Sequence, residues 1–298
     1  MRDVFATVAQ WLDAGVPCAL ATLTELRAAK TAPLGTTIAV TGDGRIVGNI
    51  GAGCYESEII ESAQRTLADG VMRPLDVNLD NDDELAGGTA CGAVMRLLIW
   101  RPDRAFADDA RAIAAGDRAV PLTVGMFEHV FPAKDELILI GATSLAADLA
   151  AIARRMDVRV TVVDPRPAFA TQERLPDAHA IVRAWPDDYL PLALSSRTAI
   201  VVLSHDPKFD VPALRCALRS NAPYIGLLGS RRAQAARRAA LRAEGFDEAA
   251  LDRIRGPVGL DIGGATTAET AISILAEIVA QRSGRNGRPL LTHQGAIH

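Results

Sequence analysis

The chain has 298 residues, of which 49% are hydrophobic and 4% aromatic, and its formal net charge at pH 7 is −4. That length is typical of two domains of roughly 150 residues each, and the acidic balance gives no indication of a nucleic-acid partner. No apolar run approaches the ~18 residues that span a bilayer, and the N-terminus lacks the apolar core of a signal peptide. Four cysteines do not make a disulfide framework, so we expect a cytoplasmic protein with reduced thiols.

The first half of the chain predicts a mixed α/β domain over residues 1–130. Apolar residues at helical spacing predict helices, and short apolar runs bounded by glycine predict strands. The turn sequence Gly42-Asp43-Gly44 joins two of these strands as a hairpin. In chain order we expect a helix over 4–14, strands over 18–23, 36–41 and 45–50, a helix over 54–70, strands over 72–79 and 93–100, a helix over 108–115 and a strand pair or extended arm over 119–130.

Two cysteines of this domain stand in short glycine-containing segments. Cys54 follows Gly53 and precedes Glu56 at the predicted start of a helix, and Cys91 precedes Gly92. Small neighbours leave a thiol open to a bulky ligand, and a helix N-terminus favours the thiolate. A thiolate can act as a nucleophile, a sulfur carrier or a soft metal ligand; the structural alternative is a pair of small buried residues beside tight turns.

The second half, residues 134–298, predicts a doubly wound parallel sheet of the Rossmann type. Buried apolar strands alternate with helices, which is the pattern of a parallel sheet covered on both faces. Strands are expected over 136–140, 158–163, 198–203 and 224–228, and helices over 145–156, 211–219 and 231–243.

The first strand of this domain ends at a phosphate-loop sequence that departs from the dinucleotide-binding pattern. Gly141 and Asp164 stand where that pattern places its first glycine and its ribose-reading acid. Thr143, however, replaces the glycine that lets the backbone touch a pyrophosphate. Its hydroxyl and that of Ser144 could instead serve a ligand at the helix N-terminus.

Three further segments follow strands or precede the last helix of the same domain. Ligands bind at the carboxyl edge of open α/β sheets, so their polar residues are binding candidates. Guanidinium groups at a helix start suit a phosphate, although a solvated helix start is the structural alternative and is preferred for Arg232. The candidates are His205, Asp206, Gly229, Arg231 and Asp261.

These motifs together resemble the XdhC/CoxI family of maturation factors for molybdenum hydroxylases. The resemblance rests on Gly53-Cys54-Tyr55-Glu56 and Cys91-Gly92 in the first domain. In the second it rests on Val163-Asp164-Pro165-Arg166-Pro167, on Ser204-His205-Asp206-Pro207-Lys208, and on Leu228-Gly229-Ser230-Arg231-Arg232. The sequence departs from the family's usual patterns at residues 27–35 and at Gly141-Ala142-Thr143-Ser144.

The resemblance implies a non-catalytic chaperone for molybdenum cofactor, with or without a linked nucleotide. Such a protein protects the cofactor while a cysteine desulfurase installs its sulfur, and then delivers it to a molybdenum hydroxylase of the xanthine or carbon monoxide dehydrogenase type. Neither a nucleic acid nor a membrane is an expected partner, and a homodimer is compatible with this role. Cys54 and Cys91 would face the metal, and the other candidates of both domains would bind the rest of the cofactor.

Two other functions stay open on the sequence. The Rossmann-like domain could serve an NAD(P)-dependent oxidoreductase, although Thr143 counts against NAD(P) as the ligand. A plain adaptor without a ligand is the third reading, and the glycine-flanked cysteines count against it. The remaining cysteines, Cys18 and Cys216, lack glycine neighbours and are predicted to be packing residues.

Overall fold

The computed structural model describes residues 2–27, 32–50, 56–78 and 94–292. These residues form two compact units that divide between Ala133 and Lys134. No helix in these ranges is long and apolar enough to cross a membrane.

The first unit contains a five-stranded antiparallel sheet of order β3-β2-β1-β5-β4 and a separate hairpin, β6-β7. Its elements are α1 (Asp3–Asp13), β1 (Cys18–Arg27), β2 (Thr37–Thr41), β3 (Ile46–Val47), α2 (Glu56–Asp69), β4 (Arg73–Asn78), β5 (Val94–Trp100), α3 (Phe106–Ala115), β6 (Val120–Val124) and β7 (Phe127–Phe131).

Helices cover both faces of this sheet because β1, its central strand, is apolar on both sides. Cys18 and Leu20 pack toward α1 and α3, whereas the alternate residues Ala19 and Ala21 pack toward α2. Successive side chains of a strand point to opposite faces, so one apolar run supplies two cores. The predicted secondary structure of this region is confirmed, although β3 is shorter than predicted and Cys54 lies outside the described residues.

The second unit contains a six-stranded parallel sheet of order β10-β9-β8-β11-β12-β13. Counted within the unit, that order is 3-2-1-4-5-6, the arrangement of dinucleotide-binding folds. Its elements are β8 (Glu136–Ile140), α4 (Ser144–Arg155), β9 (Arg159–Val163), β10 (Ala180–Val182), α5 (Pro186–Ala193), β11 (Thr198–Val202), α6 (Pro207–Leu218), β12 (Tyr224–Leu227), α7 (Arg231–Ala243), α8 (Glu248–Leu251), β13 (Ile254–Arg255) and α9 (Thr267–Arg282).

The predicted α/β class, with a doubly wound C-terminal sheet, is confirmed. Leu137 and Leu139 of β8 face a core shared with α4 and α9. Ile138 and Ile140 face the opposite core, which α6 and α7 complete. The strand order reverses between β8 and β11, so their carboxyl ends open a crevice at this point of the sheet edge.

Candidate functional site

The ends of β8 and β11 approach closely at the point where the strand order reverses. Gly141 adopts a φ of +110°, and a Cβ at this position would lie 3.3 Å from the backbone nitrogen of Ser204. Only glycine adopts this backbone conformation readily and leaves the space free. The glycine therefore allows the two connecting segments to meet at the floor of the crevice.

The phosphate-loop segment after β8 uses most of its amides internally. The N–H of Ala142 donates to the Asp164 carboxylate at 2.8 Å, and that of Thr143 donates to the Gly141 carbonyl at 3.0 Å. Thr143 is the N-cap of α4, and its hydroxyl oxygen accepts from the Ala146 N–H at 3.1 Å. A pyrophosphate at this helix start would have to displace these bonds, since it needs the same donors.

Asp164 follows β9 and is almost completely buried, with 1% of its surface exposed. Its Oδ1 accepts from the backbone N–H and the Nε of Arg166, both at 2.9 Å. Its Oδ2 accepts from Arg166 Nη2 at 2.7 Å and from the Ala142 N–H at 2.8 Å. A carboxylate has about four lone-pair sites, and four donors occupy them here. Burial raises the pKa of Asp164, but the bonds from Arg166 and from the two amides outweigh it and hold the pKa below its ordinary value.

The Arg166 guanidinium lies among aromatic rings. Its central carbon is 4.3 Å from the ring centroid of Phe169 and 5.5 Å from that of Phe209. Trp185 stacks on Phe209, with centroids 5.0 Å apart and planes inclined by 21°. We call these four side chains the arginine–aromatic cluster. Cation–π contacts and the Asp164 pair fix the guanidinium while its outer side stays in solvent.

A buried ion pair lies below the crevice, between α6 and α7. Nε of Arg237 donates to Oδ2 of Asp210 at 2.6 Å, and both side chains are buried. Burial raises the pKa of Asp210. The hydrogen bond and the charge of Arg237 oppose that rise, and the nearby Ser204 hydroxyl also lowers the pKa. Oδ1 of Asp210 has no hydrogen-bond partner within the described chain.

The N-terminus of α7 presents two guanidinium groups to solvent. Gly229 precedes the N-cap Ser230, whose hydroxyl oxygen accepts from the Ala233 N–H at 3.3 Å. Arg231 and Arg232 are exposed and make no hydrogen bond or ion pair with the described residues. Their donors are therefore available to an anion, and the role of Arg231 as a phosphate ligand stays a prediction.

Asp206 and His205 are exposed at the same edge of the sheet. Asp206 caps α6 by accepting from the Lys208 N–H at 3.0 Å, and its charge acts on Arg166. Six predicted residues therefore share this edge of the sheet: Gly141, Asp164, His205, Asp206, Gly229 and Arg231.

The other predicted residues are not among them. Glu56 begins α2 in the first unit and is exposed. Asp261 is an exposed loop residue without a hydrogen bond or ion pair in the described chain. Gly53, Cys54, Cys91 and Gly92 lie outside the described residues. No cluster of three or more metal-ligating side chains occurs within the described ranges.

Sequence reasoning missed the arginine–aromatic cluster and the Asp210–Arg237 pair. Arg166 belongs to a recognised motif, but its own role was not predicted. Its position two residues after the buried Asp164 was an available signal, because the arginine can fold back on the acid. No local pattern connects Asp210 with Arg237, since the pair forms only when α6 and α7 pack together.

Two family models match this chain. Residues 11–77 match the model described as the XdhC and CoxI family, and residues 137–278 match the model described as the XdhC Rossmann domain. Together the matches span more than two thirds of the chain, and each falls within one of the two units.

Three known proteins are similar over most of this chain. YqeB of Escherichia coli K12, a protein named as uncharacterised, is 26% identical over 285 residues. The match covers 96% of this chain but only 47% of that relative's length. A Bacillus subtilis 168 protein named as a probable xanthine dehydrogenase subunit is 25% identical, covering 88% of this chain and 92% of the relative. The molybdenum cofactor insertion chaperone PaoD of Escherichia coli K12 is 24% identical, and the match covers 94% of this chain and 88% of PaoD.

A solved structure has the same fold. The crystal structure of a Bacillus halodurans protein described as a xanthine dehydrogenase aligns with a TM-score of 0.79, covering 96% of this chain and 98% of that one. Sequence identity is 22%, so the likeness bears on the fold alone.

Proposed function

Because the chain belongs to the XdhC and CoxI family, we propose that it binds molybdenum cofactor and delivers it to a molybdenum hydroxylase. The observation that carries the proposal is the similarity to the cofactor insertion chaperone PaoD, which extends over 88% of that protein's length. In this proposal the chain protects the cofactor during sulfuration by a cysteine desulfurase and has no turnover of its own.

Each domain has a proposed task in cofactor binding. The thiols of Cys54 and Cys91, in a domain over 1–130, would hold the metal end, because thiolate is a soft ligand suited to molybdenum. The domain over 134–298 would hold a phosphate, and the Arg231 donors at the α7 N-terminus, which bond no described residue, fit that group. The bound cofactor itself supplies the redox chemistry of the client enzyme.

The contacts of the phosphate loop argue against the alternative, an NAD(P)-dependent oxidoreductase. The strand order of the second unit is that of a dinucleotide-binding fold. Asp164, however, has no acceptor site left for a ribose diol, and the Ala142 and Thr143 amides already have partners. NAD would therefore have to break existing bonds at both of its usual anchoring points, and NADP at the phosphate loop.

The test is cofactor retention by cysteine variants. The wild type and its Cys54→Ser and Cys91→Ser variants would be purified from a host that makes molybdenum cofactor. Pterin fluorescence after oxidation and elemental molybdenum would then be measured. We expect both variants to lose most of the bound cofactor while melting near the wild-type temperature, because serine is nearly isosteric but is a poor ligand for soft metals.

Cys216→Ser is the matched control. Cys216 is half-buried on α6 and packs against the core of the second unit, so its replacement should leave cofactor content unchanged. Normal cofactor content in both test variants would refute the assignment of these thiols. A wild-type protein that carries no pterin and turns over an alcohol or aldehyde with NAD would establish the oxidoreductase instead.

A further inference from the structure

The acid that reads a ribose in dinucleotide-binding folds is closed to a ligand in this chain. Asp164 is 1% exposed, and its two oxygens accept four hydrogen bonds from Arg166 and Ala142. A ribose hydroxyl could reach the carboxylate only after the guanidinium had left. The group that faces solvent at the end of β9 is therefore Arg166.

The guanidinium is held in one orientation, and its Nη1 donors bond no residue that the structure describes. Nε and Nη2 bond Asp164, and the rings of Phe169 and Phe209 lie 4.3 and 5.5 Å from its central carbon. Nη1 makes no hydrogen bond within the described chain, and the side chain is 44% exposed. Because the Arg166 side chain is already ordered, binding a ligand costs little of its conformational entropy.

Charges of both signs surround this position, and the cations among them exceed the acids by one. The Arg166 charge offsets that of Asp164, and the Asp206 carboxylate also acts on Arg166. Arg174 adds a second guanidinium, whose central carbon is 5.4 Å from the centroid of the Phe169 ring. Arg174 makes no hydrogen bond or ion pair within the described chain. Lys208 is exposed two residues after Asp206.

Trp185 supplies an aromatic surface beside these charges. It is 45% exposed and stacks on Phe209, which in turn contacts Arg166. A base that lies on such a surface gains stacking energy with little dependence on its identity. An anionic group and a planar group can thus be bound side by side.

We propose that the carboxyl end of β9 binds a ribonucleoside that carries a phosphomonoester on its ribose, with Arg166 as the phosphate ligand and Trp185 as the stacking surface. The general rule for this fold is that an acid here selects a free ribose diol, whereas an arginine accommodates a phosphate. In this chain the arginine covers the acid. This site goes beyond the proposed cofactor function and needs neither Cys54 nor Cys91.

Two ligands that differ only at the ribose provide the test. Adenosine 2′,5′-bisphosphate and adenosine 5′-monophosphate would be titrated against the full-length protein by calorimetry, with inorganic phosphate as the third ligand. Neither nucleotide contains a pyrophosphate, so the obstacle at Thr143 does not enter. We expect the bisphosphate to bind about ten- to hundredfold more tightly than the monophosphate, as charge-assisted bonds to a phosphate would give.

The Arg166→Gln variant should reverse the preference. Bisphosphate affinity should fall by at least about tenfold, and monophosphate affinity should rise because acceptor sites on Asp164 become free. Loss of folding alone would lower both affinities together. Arg174→Gln removes a charge that has no ion-pair partner among the described residues, so it should weaken bisphosphate binding with little change in the melting temperature.

Three results would overturn the proposal. The first is equal affinity for the two nucleotides, or no binding of either, in the wild type. The second is a bisphosphate preference that survives in both Arg166→Gln and Arg174→Gln. The third is inorganic phosphate binding as tightly as the bisphosphate, which would indicate a site for the free anion.

Discussion

Arg237 and Asp210 form an ion pair that is buried between α6 and α7, below the carboxyl ends of β11 and β12. Nε donates to Oδ2 at 2.6 Å, and neither side chain is more than 7% exposed. A buried pair of this kind gives little net stability over an apolar pair, but either charge left alone is costly. The pair therefore connects the packing of two helices with the site above them.

Removing one member of this pair should destabilise the second unit strongly. Arg237→Met leaves the Asp210 carboxylate buried without its partner, and we expect a loss of about 3–5 kcal/mol in unfolding free energy. The double variant Asp210→Leu/Arg237→Met should recover most of that loss. Chemical denaturation measures the unfolding free energy. Hydrogen exchange followed by mass spectrometry over 134–282 shows whether the loss of stability falls in the second unit. Equal losses in the single and double variants would contradict this account.

The Asp164–Arg166 pair should make stability depend on pH in a defined direction. Burial raises the pKa of Asp164, but Arg166 and two backbone amides lower it by more than burial raises it. The folded pKa therefore lies below the ordinary 3.8. A carboxyl with a lowered folded pKa stabilises the protein above its unfolded pKa, and this contribution is lost as the pH falls through the folded value.

The Arg166→Gln variant tests that linkage. At pH 7 its unfolding free energy should fall by about 1–2 kcal/mol. The loss is no larger because solvent screens the exposed side of the guanidinium. The difference from the wild type should narrow as the pH falls below 3.8, where the unfolded chain takes up the proton, and on through the lower folded pKa of Asp164. Denaturation midpoints between pH 3 and pH 8 (roughly the range of carboxyl and histidine titration) provide the measurement. A difference that is constant with pH would mean that Asp164 is not the linked group.

Thr143 has two separable effects in the phosphate loop. As the N-cap of α4 it stabilises the helix, and as a β-branched residue it fills the space of the usual glycine. Thr143→Gly should cost only a few tenths of a kcal/mol, because glycine is tolerated at an N-cap, whereas Thr143→Ala should cost about 1 kcal/mol.

Only the glycine variant should improve dinucleotide binding. Calorimetry with NAD would compare both variants with the wild type, for which we expect weak or absent binding. If Thr143→Gly binds no better than Thr143→Ala, the internal bonds of Ala142 and Asp164 are a sufficient obstacle on their own.

Cys18 should be an inert packing residue. It is buried in β1, and burial raises the pKa of its thiol to about 11. Alkylation at pH 8 should therefore label Cys18 only after unfolding, because the thiolate is the reactive form. Mass spectrometry of native and denatured samples gives the comparison.

Alanine substitution at Cys18 or Cys216 should likewise leave activation of a client hydroxylase intact. Some loss of stability is expected at Cys18, which is fully buried, and less at Cys216. Lost activation at unchanged stability would show that the functional role had been assigned to the wrong pair of thiols, Cys54 and Cys91.

Local patterns were sufficient for most of the fold. Helix α7, Arg231–Ala243, agrees with its predicted limits because the serine cap and the helix-forming residues after it act within one segment. The three-residue strand β10 was missed, since its residues are only partly buried and its pairing with β9 is decided by the sheet. Pro191 lies within α5, and helical spacing alone does not predict a helix there.

The candidate site was predictable in position but not in its contacts. The topology places strand ends at one edge, so Gly141, Asp164 and Asp206 were expected there together. That Arg166 would occupy the acceptor sites of Asp164 depends on a side-chain conformation, and the packing of Phe169 and Phe209 determines it. Such contacts arise between segments and leave no periodic signal in the sequence.

The antiparallel pairing of β4 with β5 has a consequence for residues 79–93, which connect them and include Cys91. Asn78 and Val94 are partners in the strand register, so the sheet fixes both attachment points of the connection next to each other. The entropy of closing a loop grows only with the logarithm of its length, and a doubling costs about 0.6 kcal/mol. Changes in the number of residues between Asn78 and Val94 should therefore cost the β4–β5 pairing little free energy.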